Sequence, residues 1–381
     1  MRRNEISLAI VLLFALFMMT GCVISPRRTL GGSATPTPTP TATPTPTPVP
    51  TATPTPTPAA PTNRLYVSNQ NTNTITVFSN GLSVNGNVAP SAAIVGGATT
   101  LDNPQYLAFD SAHDRLFVAN VSSSANLGTI LIFDSASTLN GNVAPTRTIG
   151  GPLSGLISPS DVAYDATHDA LYVLDATDIL VYNTISNPTV TGDRVPDRDI
   201  TVPFNLTAFC LDVLNDRLYA TDAATNAVHI FDNVSTIPTS VVGASRTLGG
   251  ALTKLSAPFG VAVDPANNLV VTNAGGSGSI TIYSGASVAT GTGTLNVAPV
   301  ATITGSATTL ATPAQIILNT VSTGGEMIVA DSAAGEVATF TNVAASSGNT
   351  APTRRIAGAA TTLTLTGQPT ARGVALDTHT R

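Results

Sequence analysis

Charge is the scarcest property of this sequence. Asp, Glu, Lys and Arg make up only 10% of its 381 residues, whereas an average soluble domain has roughly 25%. Lys254 is the only lysine, tryptophan is absent, and the formal net charge is −6. Because nucleic-acid binding depends on clustered lysine and arginine, the composition predicts a protein that does not bind nucleic acid.

Reactive and metal-binding residues are also few. Two cysteines exclude a disulfide framework and a cysteine-rich zinc site, and Cys210 is expected to be a small buried hydrophobic residue. The four histidines lack the spacing of a metal pair or a general base. No Gly-x-Ser-x-Gly, His-Glu-x-x-His or P-loop pattern occurs. The sequence therefore predicts no catalytic residues, no metal ligands and no cofactor.

The first residues have the features of an export signal. Arg2 and Arg3 precede an apolar stretch at residues 6–19, which is too short to span roughly 30 Å of hydrocarbon but suits a signal peptide. Met-Thr-Gly-Cys at residues 19–22 resembles the lipobox of bacterial lipoproteins. This resemblance implies a signal peptide over residues 1–21 and lipidation of Cys22. An ordinary secretory signal or an uncleaved anchor is the alternative.

The lipobox resemblance also predicts the cellular location of the protein. It implies an exported protein whose lipidated Cys22 binds a membrane of the cell envelope. Val23 follows the cysteine where an Asp would retain a lipoprotein at the inner membrane, so the resemblance permits the outer membrane or the cell surface.

Residues 22–62 are expected to form a linker without regular structure. Residues 35–61 are nearly pure Thr-Pro alternation and contain 11 of the 27 prolines. Alternating proline fixes φ and removes N–H donors, which excludes helix and sheet and favours extended polyproline II. About thirty such residues reach on the order of 90 Å. Thr/Pro stretches are also O-glycosylation substrates, but a plain spacer is the simpler interpretation.

The remainder, residues 63–381, is internally repetitive. An apolar triplet such as Leu-Tyr-Val begins at residues 65, 116, 171, 218, 269 and 327, and an Asn or Asp follows each triplet at the second position. These six residues form what we call the Asx ring: Asn69, Asn120, Asp175, Asp222, Asn273 and Asp331. The Asx ring is interpreted as a set of side chains that cap their own hairpins. A cation or sugar-hydroxyl site is the alternative.

Each repeat contains four short β-runs separated by Gly, Asn, Asp and Pro, with no helical periodicity. A Gly-Asn-Val-Ala-Pro-Thr-Arg segment at residues 141–147 and a strand from proline to acid at residues 104–110 recur in variant form. Strands that are apolar on both faces need burial on both sides. The sequence therefore predicts an all-β, six-bladed β-propeller with four-stranded blades. An open β-solenoid is the alternative, although its repeats are usually shorter.

The two ends of the repeat region complement each other. Residues 373–377 form an opening strand without its continuation, and residues 63–67 form a second strand without its predecessor. We name the strands of a blade A to D from the axis outward. The C-terminal strand is then strand A of the first blade and closes the ring. The linker would join the propeller on the face of the A–B turns, and the face of the D–A loops would point away from the membrane.

The Leu-Tyr-Val-x-Asn/Asp and Pro-x-x-Val-Ala-x-Asp segments resemble propellers of the NHL/YVTN type over the whole of residues 63–381. That group includes binding modules and enzymes, so the resemblance implies a fold rather than an activity. Among similar enzymes, gluconolactonase-like hydrolases hold calcium with a glutamate inside the tunnel. The mature chain has only Glu326 and Glu336, and neither begins a strand A. Calcium is thus expected only if the protein is an enzyme of this kind.

Polar residues interrupt the repeat where the A strands begin, beside the axis. They are Tyr106, Asp161, Asn205 and Gln315, with Arg372 nearby. Such residues would form a polar ligand pocket at a tunnel mouth. A hydrated channel lining without a dedicated ligand is the alternative.

These observations favour a monomeric cell-envelope lipoprotein whose non-catalytic propeller binds an envelope or extracellular protein or glycan. The rival function is a tunnel-mouth hydrolase or lyase that acts on a small cyclic ester or sugar acid. A structural module without a specific ligand is a third possibility.

Overall fold

The structure of the chain is a computed structural model. The structure describes residues 63–122, 127–288, 290–320, 325–341, 346–365, 368–369 and 371–378. The chain divides into two units, Met1–Thr57 and Pro58–Arg381, and all described residues belong to the second. The signal peptide, Cys22 and the Thr/Pro linker lie outside the described residues, so they stay predictions.

Short β-strands make up nearly half of the described chain. The strands of the first three repeats are β1 (Arg64–Asn69), β2 (Thr74–Ser79), β3 (Ala92–Val95), β4 (Pro104–Asp110), β5 (Arg115–Asn120), β6 (Thr129–Asp134), β7 (Arg147–Ile149), β8 (Pro159–Asp165), β9 (Ala170–Asp175), β10 (Asp178–Asn183) and β11 (Arg198–Thr201). The remaining strands are β12 (Ala208–Asp212), β13 (Arg217–Asp222), β14 (Ala227–Asp232), β15 (Ser240–Val241), β16 (Arg246–Gly249), β17 (Pro258–Val263), β18 (Leu269–Asn273), β19 (Ser279–Tyr283), β20 (Gly293–Leu295), β21 (Ala301–Thr304), β22 (Pro313–Asn319), β23 (Glu326–Asp331), β24 (Glu336–Thr341), β25 (Arg354–Ala357), β26 (Thr364–Leu365), β27 (Gln368–Pro369) and β28 (Ala371–Asp377).

Helical structure in the described residues is confined to single turns. One α-helical turn, α1, spans Gly285–Val288. Short 3-10 turns lie at Gln70–Thr72, Gly97–Thr99, Ala136–Thr138, Val234–Thr236, Ser306–Thr308 and Ala359–Thr361. No helix in this part of the chain has the length and apolar character needed to cross a membrane.

The strands form six antiparallel blades arranged as a propeller. In A-to-D order the blades are β28-β1-β2-β3, β4-β5-β6-β7, β8-β9-β10-β11, β12-β13-β14-β16, β17-β18-β19-β21 and β22-β23-β24-β25. Each strand A packs beside the strand A of the next blade, and β28 packs beside both β4 and β22. The all-β, six-bladed propeller is therefore confirmed.

The C-terminal strand closes the first blade, as the repeat seam predicts. β28 pairs antiparallel with β1, and Val374 lies opposite Val67. The first blade thus contains strands from both ends of the repeat region.

The outer edges of the blades carry an addition that the repeat did not predict. Each strand D pairs in parallel with a short segment from the C–D loop of the following blade. In blades 3 and 4 this segment is long enough to form a fifth strand, β15 beside β11 and β20 beside β16. The other blades have single bridges at Ile94–Gly141, Ile149–Gly192, Ile303–Gly348 and Ile356–Gly86. This pairing covers backbone groups that an edge strand would otherwise expose.

Six hydrophobic clusters lie between neighbouring blades, and the apolar triplet of strand B contributes to two of them. In blade 3, Leu171 and Val173 pack against blade 2, whereas Tyr172 packs against blade 4. All three side chains are at most 1% exposed, and full burial of such residues stabilises a fold by roughly 1.5–3 kcal/mol each. The triplet is apolar on both faces because each face meets a different blade.

Candidate functional site

The Asx ring lies at the ends of the B strands, and each of its six members is at most 3% exposed. Among the residues that the structure describes, the side-chain oxygen accepts hydrogen bonds from the D–A loop that enters the same blade in four blades. Asp175, for example, accepts from the N–H groups of Ile157 (2.7 Å) and Ser158 (3.0 Å). Asn120, Asn273 and Asp331 have equivalent bonds.

Fewer members of the Asx ring cap their own hairpins. Asp222 and Asp331 accept from the backbone N–H groups two and three residues further along the chain, and Asn69 donates to the hydroxyls of Thr74 and Thr76. The D–A loop is the commonest hydrogen-bond partner of the Asx ring. The sequence did not predict this contact, because the bonded residues are 17–20 positions apart. These buried side chains have structural partners, and nothing in their geometry favours the alternative of a cation or sugar-hydroxyl site.

The structure brings three of the predicted tunnel-mouth residues together at the axis. Tyr106, Asp161 and Gln315 occupy equivalent positions near the start of strands β4, β8 and β22. Asn205 does not join them: it is exposed in the loop before β12, which begins at Ala208. Ala208 holds the equivalent position in blade 4. Ala208 lies four residues before Asp212, the acid that ends strand A, just as Asp161 lies four residues before Asp165. Counting forward from the preceding strand D leads to Asn205 instead.

Tyr106 fills the axis. Its ring is 1% exposed and packs in a cluster with Ala208 and Ala314 of two other blades. Its hydroxyl has no hydrogen-bond partner among the residues that the structure describes, and burial raises its pKa well above the ordinary value. On the D–A side of this ring, the Arg372 guanidinium lies 5.4 Å from the Tyr106 ring centroid and 5.0 Å from that of Phe259. The axis is therefore closed at this level.

Asp161 connects two blades. One carboxylate oxygen accepts from the N–H of Val162 at 2.8 Å, and the other accepts from the N–H of Phe209 in blade 4 at 2.9 Å. The side chain is 2% exposed, and this burial raises the pKa of the carboxyl to about 8. The Asp161 carboxyl therefore keeps its proton to a higher pH than an exposed aspartate does.

Gln315 spans the axis in a similar way. Its amide oxygen accepts from the N–H groups of Val374 (2.7 Å) and Leu107 (3.4 Å), and its amide nitrogen donates to the carbonyl of Leu107 at 3.1 Å. One side chain of blade 6 thus holds strands of blades 1 and 2.

Strand-B hydroxyls make the corresponding connection at three other blade boundaries. Ser68, Thr221 and Thr272 donate to carbonyl oxygens of the next strand A, at 2.5, 2.5 and 2.7 Å. The equivalent strand-B residues of blades 2, 3 and 6 are Ala119, Leu174 and Ala330, which have no hydroxyl. Asp161 and Gln315 supply blade-to-blade bonds at the boundaries after blades 3 and 6. Their departure from the repeat therefore has a structural explanation.

A cavity of about 380 Å³ lies on the axis below Tyr106. Its floor includes Tyr106, Asp161 and Gln315, which are at most 9% exposed, and its rim includes Val213, Thr320 and Thr378 beyond the ends of the A strands. Val213 is 36% exposed, so the cavity opens on the face of the A–B turns. At the start of the A strands, where the sequence predicted a polar pocket at a tunnel mouth, the Tyr106 side chain is buried across the axis. A ligand-binding role for these residues stays a prediction.

The glutamates of the sixth repeat lie in ion pairs away from the axis. Glu326 binds Arg354 at 2.5 Å, and Glu336 binds Arg355. Within the described part of the chain, no three His, Cys, Asp or Glu side chains cluster as metal ligands would.

Apolar side chains are exposed on the D–A face between blades 2 and 3. Leu127 is 38% exposed, Leu153 is 60% exposed and Ile157 is 58% exposed. The N–H of Gly128 donates to the carbonyl of Leu156 at 3.2 Å, which joins the B–C loop of blade 2 to the D–A loop of blade 3. We call Leu127, Leu153 and Ile157 the apolar patch.

No protein-family model matches the chain, and no curated protein matches it. Among solved structures, the chain is similar to one in the crystal structure of a nidogen/laminin complex, at 13% sequence identity and a TM-score of 0.52, over 83% of this chain and 98% of that one. It also matches a functionally unknown protein from Desulfotomaculum acetoxidans DSM 771, at 15% identity and a TM-score of 0.47, over 74% and 75% of the two chains. The likeness to the nidogen/laminin complex shows the fold alone.

Proposed function

We propose that this protein is an exported cell-envelope lipoprotein, anchored through Cys22, whose NHL/YVTN-like propeller binds a partner protein through the D–A face. The anchor rests on the lipobox resemblance and the location on the preceding signal-like residues. The binding role rests on the propeller and on the apolar patch.

Exposure of the apolar patch is the observation that carries the binding role. Contiguous apolar side chains on a protein surface mark interaction sites, and aliphatic residues suit a protein partner better than a glycan. Leu153 recurs as Leu252 in the loop before blade 5, but Ile157 stands where the loops before blades 2 and 5 have Asp102 and Ser256. Ile157 is therefore the member of the patch that departs from the repeat, and blade 3 is where it adjoins an exposed leucine.

The similar propeller structure agrees with this role. It belongs to a complex between nidogen and laminin, which is a protein assembly. That likeness supports protein binding as a use of this architecture, without implying the same partner.

The rival enzymatic function has less support. Asp161 and Gln315 are the polar side chains at the axis that such a site could use, and both hold backbone groups of neighbouring strands. Freeing either side chain for a substrate would break bonds between blades.

The proposed function is tested with the full-length protein and labelled envelope extract. We expect the double variant Leu153→Ser/Ile157→Ser to lose binding of a specific partner by about tenfold or more, because hot-spot residues dominate such interfaces. Leu252→Ser is the matched control: Leu252 occupies the same loop position before blade 5 and is 56% exposed. Unchanged binding by the double variant would overturn the proposal.

A further inference from the structure

Arg372 lies on the propeller axis at the centre of the D–A face. Its guanidinium carbon is 5.4 Å from the centroid of the Tyr106 ring and 5.0 Å from that of the Phe259 ring. Tyr106 belongs to blade 2 and Phe259 to blade 5, which are opposite each other in the ring of six blades. A group in contact with both rings therefore lies at the axis, and stacking on aromatic faces holds a guanidinium in place.

The Arg372 guanidinium keeps free hydrogen-bond donors. Its Nε–H donates to the side-chain oxygen of Gln105 at 3.3 Å, whereas its two terminal nitrogens have no partner among the residues that the structure describes. Both nitrogens are accessible to solvent, since neither is one of the buried polar atoms that lack a partner. Their N–H groups form a planar fork that matches the two oxygens of a carboxylate.

The charge of Arg372 is not compensated within the propeller. Among the described residues, no carboxylate forms an ion pair with it, and every Asp and Glu of residues 63–381 is described. Asp161, the acid at the axis, accepts hydrogen bonds from backbone N–H groups through both oxygens. Arg355, by contrast, pairs with Glu336. Arg372 therefore presents an unpaired cation at the centre of the D–A face.

Arg372 and the apolar patch fit within one protein interface. Ile157 is four residues before Asp161, which lies at the axis, so their Cα atoms are at most about 14 Å apart. A standard interface covers about 800 Å² of each partner, which corresponds to a disc of roughly 16 Å radius. A partner of that size centred on Ile157 therefore covers the axis and the Arg372 side chain.

We propose that the partner of the D–A face inserts an Asp or Glu carboxylate at the axis, where it binds the terminal nitrogens of Arg372. This contact rests on the proposed function, because the apolar patch brings the partner over the axis. Covering an unpaired guanidinium takes its charge out of water, which is costly unless an opposite charge pairs with it. One carboxylate supplies a single negative charge and two coplanar acceptor oxygens, which match the single cation and its fork.

The carboxylate site is tested first without the partner. The full chain carrying Cys22→Ser, which removes the lipidation site, is isotope-labelled, and the arginine Nε–H signals are recorded by NMR. The probes are the peptides acetyl-Ala-Glu-Ala-amide and acetyl-Ala-Gln-Ala-amide at millimolar concentration, which differ in the carboxylate. We expect the Glu peptide to shift the Arg372 signal about threefold more than the Gln peptide does. The signal is assigned by its loss in Arg372→Gln.

Arg355 is the internal control of the peptide experiment. Its Nε–H already donates to Glu336, so we expect neither peptide to shift its signal. Equal shifts of the Arg372 signal by the two peptides, or no shift, would overturn the carboxylate site.

The contact with the partner is tested with the full-length protein and the labelled envelope extract. We expect Arg372→Gln to weaken binding about tenfold or more, because it leaves the partner's buried carboxylate unpaired. Arg372→Lys keeps the charge but loses the fork, so we expect it to retain only part of the binding. Lys254→Gln is the matched control: it removes the same charge from an exposed side chain of the D–A loop before blade 5, and should change binding about twofold or less. Thermal unfolding checks that each variant is folded.

The outcomes separate this contact from the proposed function. Loss of binding by Leu153→Ser/Ile157→Ser with parental binding by Arg372→Gln would overturn the carboxylate contact and leave the proposed function intact. Equal losses in Arg372→Gln and Lys254→Gln would also overturn the contact. Unchanged binding by the patch variant would overturn the proposed function and the contact with it. A response to the Glu peptide without any effect of Arg372→Gln on partner binding would assign the site to a free small carboxylate instead.

Discussion

Gly96 leaves space for the side chain of Asn142. A Cβ built on Gly96 would lie 2.5 Å from the Asn142 amide oxygen, and that oxygen accepts a hydrogen bond from the N–H of Ala98 at 2.7 Å. Asn142 belongs to blade 2 and Gly96 to the end of blade 1, so the pair forms a latch between blades. Four further pairs repeat it: Asp193 with Gly151, Asn296 with Gly250, Asn349 with Gly305 and Asn87 with Gly358.

Gly96→Ala is expected to destabilise the propeller by about 3 kcal/mol. Its φ of 118° and ψ of 168° belong to a region that only glycine adopts without strain, and the new Cβ would displace the latch. Gly141→Ala is the control, because Gly141 also has a positive φ of 83° but no atom within 4 Å of its Cβ position. We expect a cost of about 1 kcal/mol there. Urea unfolding of both variants checks the difference, and equal costs would argue against the latch.

Removal of the Tyr106 hydroxyl is expected to leave stability unchanged or raise it by up to about 1 kcal/mol, because no partner loses a bond. Tyr182→Phe is the matched case. The Tyr182 hydroxyl donates to the carbonyl of Ser154 at 2.6 Å, so its loss should cost about 1–2 kcal/mol. Thermal unfolding distinguishes the two variants. An equal loss in both would show that the Tyr106 hydroxyl is satisfied.

The raised pKa of Asp161 predicts that the free energy of unfolding falls as the pH rises. Its pKa is about 8 in the folded protein and about 3.9 in an unfolded chain. Between these values the folded state holds a proton that the unfolded state has lost, so its contribution to stability falls from about pH 4 to pH 8 and changes little above. The slope is up to about 1.4 kcal/mol per pH unit.

Asp161→Asn isolates this effect, because it removes the titrating group and keeps the side-chain shape. Denaturant unfolding across this pH range should show that the variant lacks the part of the decline due to Asp161. Parallel pH profiles for the parent and the variant would contradict a buried, protonated Asp161.

The fold could be predicted from local sequence signals, because each repeat corresponds to one blade. The apolar triplets set the number of blades, and the incomplete first and last strands revealed ring closure. The partners of polar residues were less accessible. Asn142 and Gly96 are 46 positions apart, and only packing of successive blades brings them together. Asp161 and Gln315 were recognised as departures, but their use as blade-to-blade bonds depends on the absence of a hydroxyl at Leu174 and Ala330.

The candidate site was likewise only partly predictable from the sequence. Its position on the axis was predictable from the start of the A strands, but the closed end was not, because closure depends on the Tyr106 ring reaching Ala208 across the axis. Ile157 was visible in the sequence as an apolar residue at a position that is Asp102 before blade 2 and Ser256 before blade 5, next to a leucine, Leu153, that recurs as Leu252. Only the structure showed that these side chains are exposed to solvent and so available to a partner.

Site-specific photocrosslinking tests the central claim most directly, namely that the propeller binds a protein through the apolar patch. A benzophenone amino acid is introduced at Leu153 in one full-length variant and at Leu252 in another, and each is irradiated in the intact envelope. We predict a discrete crosslinked protein from position 153 that is weak or absent from position 252. Identical crosslinks from both positions, or none from position 153, would contradict the account.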